Sequence, residues 1–325
     1  MPTAENAKLE YEAGQSYNAY EALTDSGDKT TFNSSASLWS AKSGYTPTVR
    51  PNGLITGGAV TVGTGNDAVD AAAATCYLAG VETSVSASAG LSLTRGSASN
   101  THIINSITVN SGGTYAVVAG TATTAFSETR GAAGGPPYIP VGSIEVAQVR
   151  LTSITAAPVT ADEIFAVIGT HTERYDYPLW NVNYDAGNID FLAALPAIHT
   201  GDVPKAVYAT FYEPIFAEIS LASDYVPSEE SHSVSSTQIY NRTIASSSST
   251  LNQGSFTTYL QDGVTDALVA AKNQVLWFRF HPDRYKTANI LDQGKLGISR
   301  TFPAGDNIAA ACTISAEAVS IEKAS

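Results

Sequence analysis

The chain has 325 residues, with 17 Lys+Arg against 30 Asp+Glu and a net charge of -13. So few cations argue against a face that grips nucleic acid through its phosphates. The length exceeds the usual single domain, and 43% hydrophobic residues are enough for ordinary cores, so two domains are expected.

No apolar run approaches the ~20 residues that span a bilayer. The opening MPTAENAKLEYEAG lacks the basic start and apolar core of an export signal. The expectation is assembly in a cytoplasm with no membrane insertion, and Cys76 and Cys312 as small buried residues rather than a disulfide.

In chain order, residues 1–50 are polar with scattered aromatics and read either as an arm that packs on a neighbouring subunit or as an N-terminal segment folded onto its own domain. From Leu54 to Gly169 the signals are β. Val81, Val85, Leu91 and Leu93 alternate with polar residues, which reads as a long half-buried strand or a hairpin arm with Gly90 as a bulge. HIINSITVNSGGTYAVV reads as a hairpin turning at Asn110–Gly113, and IEVAQVRL and EIFAVIG as two further strands. NDAVDAAAATCYLAG fits either a helix from Asn66 to Gly80 or strands.

A boundary is expected near Tyr177–Gly187, giving domains 51–180 and 181–325. Beyond it Val207, Ala209, Phe211, Ile215, Ala217, Ile219 and Leu221 alternate. EESHSVSSTQ and SSSST read as flexible polar loops. Val264, Ala267, Leu268 and Ala271 make one helical stripe, with Asp262 as its cap. VLWFRFH is a strand, and another is expected between Asp306 and Glu322, with Ile308, Ala310, Cys312, Ile314 and Ala316 on one face. The fold class is mainly β with one or two short helices, a sandwich or barrel with an additional β domain.

Signals for chemistry are sparse. His171 and Glu173 share a strand face, but a zinc site needs more ligands, and only Asp176 and Glu163 lie near in sequence. A polar cluster in which Arg174 pairs with Glu173 explains them more simply. There is no G-x-S-x-G elbow, and VGTGND lacks the lysine of a phosphate loop. The expectation is a non-enzyme with no cofactor and no metal.

The run DGVTDALVAAKNQVLWFRFHPDR, followed by QGKLGISRTFPAGDNIAAACTISAEAV, resembles the major tail (tail tube) proteins of long-tailed, siphovirus-like bacteriophages. The resemblance covers residues 200–325. It implies a virion protein that forms hexameric rings stacked into a tube, through which DNA passes without specific binding. The implied partners are further copies, the tape measure and the tail terminator.

On this picture 181–325, helped by the arm 1–50, builds the tube, and 51–180 decorates its exterior. The lumen would be lined by Thr313, Ser315 and Glu317, with Glu213 or Glu218. Contacts between subunits would use Tyr17, Tyr20, Trp39, Tyr225, Ser235, Tyr240, Arg284 and Tyr285, with loops 223–255 and 282–297 between rings. The competing expectation is a surface adhesin or carbohydrate-binding protein, with the sugar site in the N-terminal domain.

Overall fold

The computed structural model describes residues 5–324 and consists mainly of β-strands, with antiparallel pairing throughout its extended ladders. Among the described residues the only helical elements are Ala267–Ala270 and a 3-10 turn, Ala161–Glu163. The chain is therefore mainly β, as its alternating patterns predict. It divides into two compact units: residues up to 17 with 38–46 and 212 onward, and residues 18–37 with 47–211. Residues 181–211 thus group with the middle of the chain rather than with its end.

The first unit is organised on one sheet. In spatial order its strands are Ser223–Val226, Gly254–Tyr259, Ala309–Ala316, Asn289–Thr301, Val275–His281, Lys8–Ala22 and Val207–Glu218. The last two are long enough to supply residues to both units. Alternation in Ala309–Ala316 buries Ala310, Cys312, Ile314 and Ala316 and leaves Ala311, Thr313 and Ser315 exposed. Register places Cys312 beside Ile298 and Phe256, and Ile314 beside Leu296. These residues join Leu9, Tyr11, Leu268 and Phe278 in one apolar layer. Each large side chain buried there contributes about 1.5–3 kcal/mol.

Three expectations in this unit are corrected. The predicted helix is a single four-residue turn. Asp262 accepts the amides of Val264 and Thr265, both at 2.7 Å, and Asp266 accepts those of Gln261 and Gly263 at 2.9 and 2.8 Å. These side chains hold the segment in tight turns, so the helix starts only after Asp266 and buries only Leu268 of the stripe. The late strand splits into Ala309–Ala316 and Ile321–Lys323. The supposed polar loops are two paired strands, Glu229–Ile239 and Arg242–Asn252, in unbroken register from Glu229↔Asn252 to Ile239↔Arg242.

The second unit stacks several small sheets. Tyr115–Ala119, Ile103–Val109, Ile144–Leu151 and Ile164–Phe165 form the central one, with the turn at Asn110–Gly113 as expected. Of EIFAVIG only Ile164–Phe165 is an extended strand. Ile103–Val109 is buried at every position because both faces are covered. Val109, Ile144 and Val146 pack on Leu54, Cys76 and Val85; Ile103, Ile107 and Val149 pack on Val69 and Leu93. The alanine-rich segment forms strands Ala68–Ala71 and Ala74–Leu78 rather than a helix. Asp67 and Ala79 flank it in the left-handed region, φ 55 and 51. The segment from Val81 forms neither one long strand nor a hairpin: it divides into Val81–Val85 and Ser88–Ser92, which pair with different neighbours, and Gly90 (φ 68) lies within a register shift.

Candidate assembly surfaces

Strands Glu229–Ile239 and Arg242–Asn252 form a ribbon of eleven facing pairs, in which only Leu251 is even half-buried. At the usual rise it spans about 36 Å. No other described strand pairs with either edge. One face carries a hydroxyl ladder, in which Ser233 bonds Ser248 and Ser235 bonds Ser246, each at 2.8 Å between Oγ atoms. Ile239 and Ile244 lie on the same face near the tip, where Tyr240 is fully exposed. A lone two-stranded ribbon is at best marginally stable in water. Its exposed edge amides and carbonyls are a template for another strand.

The root of this arm is held firmly. Buried Ser228 donates its N–H and its Oγ–H to Asp292 Oδ2, at 3.1 and 3.0 Å, and its Oγ accepts the Gly254 amide at 3.0 Å. A Cβ on Gly254 would lie 2.6 Å from Asp292 Oδ2, so a larger residue there would displace the Asp292 carboxylate. Burial raises the Asp292 carboxyl above its ordinary pKa, while the Ser228 bonds oppose the rise.

The segment 38–46 is pinned to the sheet. Trp277 Nε1 donates to Trp39 O at 2.8 Å, and buried Glu12 accepts Trp277 N at 3.1 Å and the Ser40 hydroxyl. Two residues along the same pair of strands, Glu10 takes Lys8 at 2.7 Å and Arg279 at 2.7 Å, with His281 Nε2 at 3.5 Å. Burial pushes the Glu10 carboxyl up, but Lys8 and Arg279 together outweigh it and hold it low.

Of the residues expected to line a channel, Thr313 and Ser315 are exposed on the face opposite the core, and Glu317 is exposed just beyond the strand. Register sets Lys295 directly opposite Ser315, so this hydroxyl row is not free of cations. Glu213 and Glu218 are five residues apart on one strand, and alternation puts them on opposite sides. Ala217 packs on the core side, whereas Phe216 lies under Arg279 at 4.1 Å. Glu218 shares the Phe216 side and pairs with Arg284 at 3.0 Å.

Of the residues expected between subunits, Tyr17, Ser235, Tyr240, Arg284 and Tyr285 are exposed. Trp39 is fully buried in its own chain and offers no surface to a neighbour. Tyr225 is half-buried, stacked on Phe280 at 4.6 Å, and burial pushes its phenol pKa up. Tyr20 is half-buried beneath Arg50, 4.7 Å from its ring centroid. Aromatic residues in an arm-like segment read alike whether they pack internally or outward, so the sequence could not separate these cases.

The polar cluster at 171–176 is also rearranged. Arg174 pairs with Asp176 at 3.0 Å, Glu173 accepts the Glu145 amide at 2.8 Å, and Glu163 closes a capping box with Thr160. Among the described residues no group of three or more His, Cys, Asp or Glu side chains is arranged to hold a metal. None of the described helices is long and apolar enough to cross a membrane. The chain matches no protein-family model and no curated protein sequence.

Proposed function

We propose that this protein is a structural, self-assembling subunit, the tail tube protein of a long-tailed phage. Its first unit would be completed by copies of the same chain in stacked hexameric rings. The observation that carries this reading is the ribbon 229–252: eleven strand pairs that bury almost nothing within the chain, on a root locked by Asp292. An arm that cannot stabilise itself by burial gains a partner when a neighbouring subunit covers it or adds a strand to its edge.

Head-to-tail contacts of this kind close into rings when the rotation allows, and rings then stack. The acidic balance of the chain, 30 Asp+Glu against 17 Lys+Arg, suits a conduit from which DNA must slide. Thr313, Ser315 and Glu317 remain the candidate wall, with the Lys295 cation set directly opposite Ser315. Assembly would occur in a host cytoplasm, with the product in the virion.

Sedimentation of the full chain tests the reading. Wild type should form ring-sized and larger species as concentration rises. A variant with 229–252 replaced by a short turn between Ser228 and Gln253 should stop at smaller species. A wild type that stays monomeric at every concentration would overturn the proposal. A monomer that binds glycans would favour the adhesin reading.

A further inference from the structure

The second unit contains a partly open cavity of about 240 Å³ whose lining includes Tyr177, Pro136, Pro178 and Ile198. Gly169 permits this lining: a Cβ there would lie 2.0 Å from the Tyr177 ring, and its φ is +79. Part of the lining is polar and buried. Glu145, Gln148, Glu173 and Lys205 all belong to it, and the surrounding fold has satisfied them unequally.

Glu145 is fully engaged. Its carboxylate takes Arg130, the Ser106 hydroxyl and Gln148 Nε2, the last at 3.3 Å. Gln148 Oε1, by contrast, is buried and has no hydrogen-bond partner. Lys205 Nζ donates to the carbonyls of Arg174, at 2.7 Å, and Tyr177, which leaves one of its three hydrogens unused. Glu173 spends one oxygen on the Glu145 amide, and no ion pair joins it to Lys205 although the two charges act on each other. Gln148, Glu173 and Lys205 thus line one space with hydrogen-bonding capacity left unused. Such groups are costly unless something polar stands between them.

Charge decides what that something is. With Glu173 ionised, Glu128, Glu145 and Glu173 are balanced by Arg130, Lys205 and Arg150, the last holding Glu128 at 2.6 and 2.9 Å. Burial, helped by Arg150, lowers the His171 pKa and favours its neutral form. A charged guest would leave an uncompensated charge inside. A hydroxyl both donates, to Gln148 Oε1 and Glu173, and accepts, from Lys205. A space of about 240 Å³ suits one ring better than an oligosaccharide. The Tyr177 and proline wall matches the C–H face of such a ring better than it matches water.

We propose that this cavity is a binding site for a single uncharged sugar ring, oriented by Gln148, Glu173 and Lys205 against Tyr177. The proposal does not depend on tube assembly, because every residue it uses lies within the second unit.

Saturation-transfer NMR on the full chain tests it with glucose, galactose, mannose and N-acetylglucosamine, and with glucuronate and glucosamine as charged counterparts. At least one neutral sugar should receive saturation, and the charged counterparts markedly less. The signal should vanish in Gln148→Leu, which removes the orphan acceptor. It should also vanish in Thr170→Trp, which fills the cavity from an exposed position on its lining and so decides the matter should Gln148→Leu fold poorly. No transfer to any neutral sugar, equal transfer to the charged ones, or an undiminished signal in Thr170→Trp would overturn the proposal and leave the cavity to ordered water.

Discussion

Ser228 and Asp292 are 64 positions apart in sequence, yet one carboxylate oxygen of Asp292 receives both the amide and the hydroxyl hydrogen of Ser228. The Gly254 amide on the other leg of the ribbon closes on the same Ser228 hydroxyl. Asp292→Ala would strip a buried N–H and a buried hydroxyl of their acceptor. The expected cost is about 1–3 kcal/mol per orphaned group. Urea unfolding should show it, together with faster proteolysis within 229–252. Unchanged stability and unchanged proteolysis would mean that the arm is anchored elsewhere.

The bond from Trp277 Nε1 to the Trp39 carbonyl ties segment 38–46 to the sheet. Trp277→Phe keeps most of the ring but leaves that buried carbonyl without its donor. A loss of about 1–3 kcal/mol is expected, with earlier hydrogen exchange across 38–46. Exchange there at the wild-type rate would contradict the pinning role.

In the second unit, burial raises Glu173 from an ordinary 4.5 to about 7, partly offset by Lys205. A group whose folded pKa lies above its unfolded value contributes stability that is complete below pH 4.5 and lost as pH rises through about 7. Exchange protection in Ile144–Leu151, corrected for intrinsic rates, should therefore fall across that window. Glu173→Gln should flatten the dependence. A wild type as flat as the variant would show that the carboxyl titrates normally.

Cys76 and Cys312 are buried, and burial pushes their thiols up to about 11 and about 12, so neither should react with maleimide at neutral pH. Ser315→Cys then reports on one exposed position alone. In dispersed protein a small maleimide and a bulky polyethylene-glycol maleimide should both label it. In assembled material only the small reagent should do so at an appreciable rate. Equal labelling of assembled material by both reagents would remove Ser315 from a channel wall.

The parts of this fold visible in the sequence are those where burial writes a period. Ala310, Cys312 and Ile314 announce one face of a strand, and the 103–119 hairpin is marked by alternation and by the turn at Asn110–Gly113. The ribbon 229–252 has no such signature. Its serines pair across strands through backbone and hydroxyl groups with almost nothing buried, so composition reads as loop. The helical stripe at 264–271 yields only a short helix because two aspartates divert its first amides into turns, an effect no hydrophobic period encodes. The cavity was illegible for another reason: Glu145, Glu173 and Lys205 stand about thirty residues apart in sequence and converge only through tertiary packing.

Negative-stain electron microscopy of the purified full chain bears most directly on whether these strands are completed by copies of the same polypeptide. The account predicts hollow six-fold rings and, at higher concentration, stacks of them, with the stacks absent when 229–252 is shortened. Uniform solitary particles at all concentrations, unaffected by that change, would contradict it.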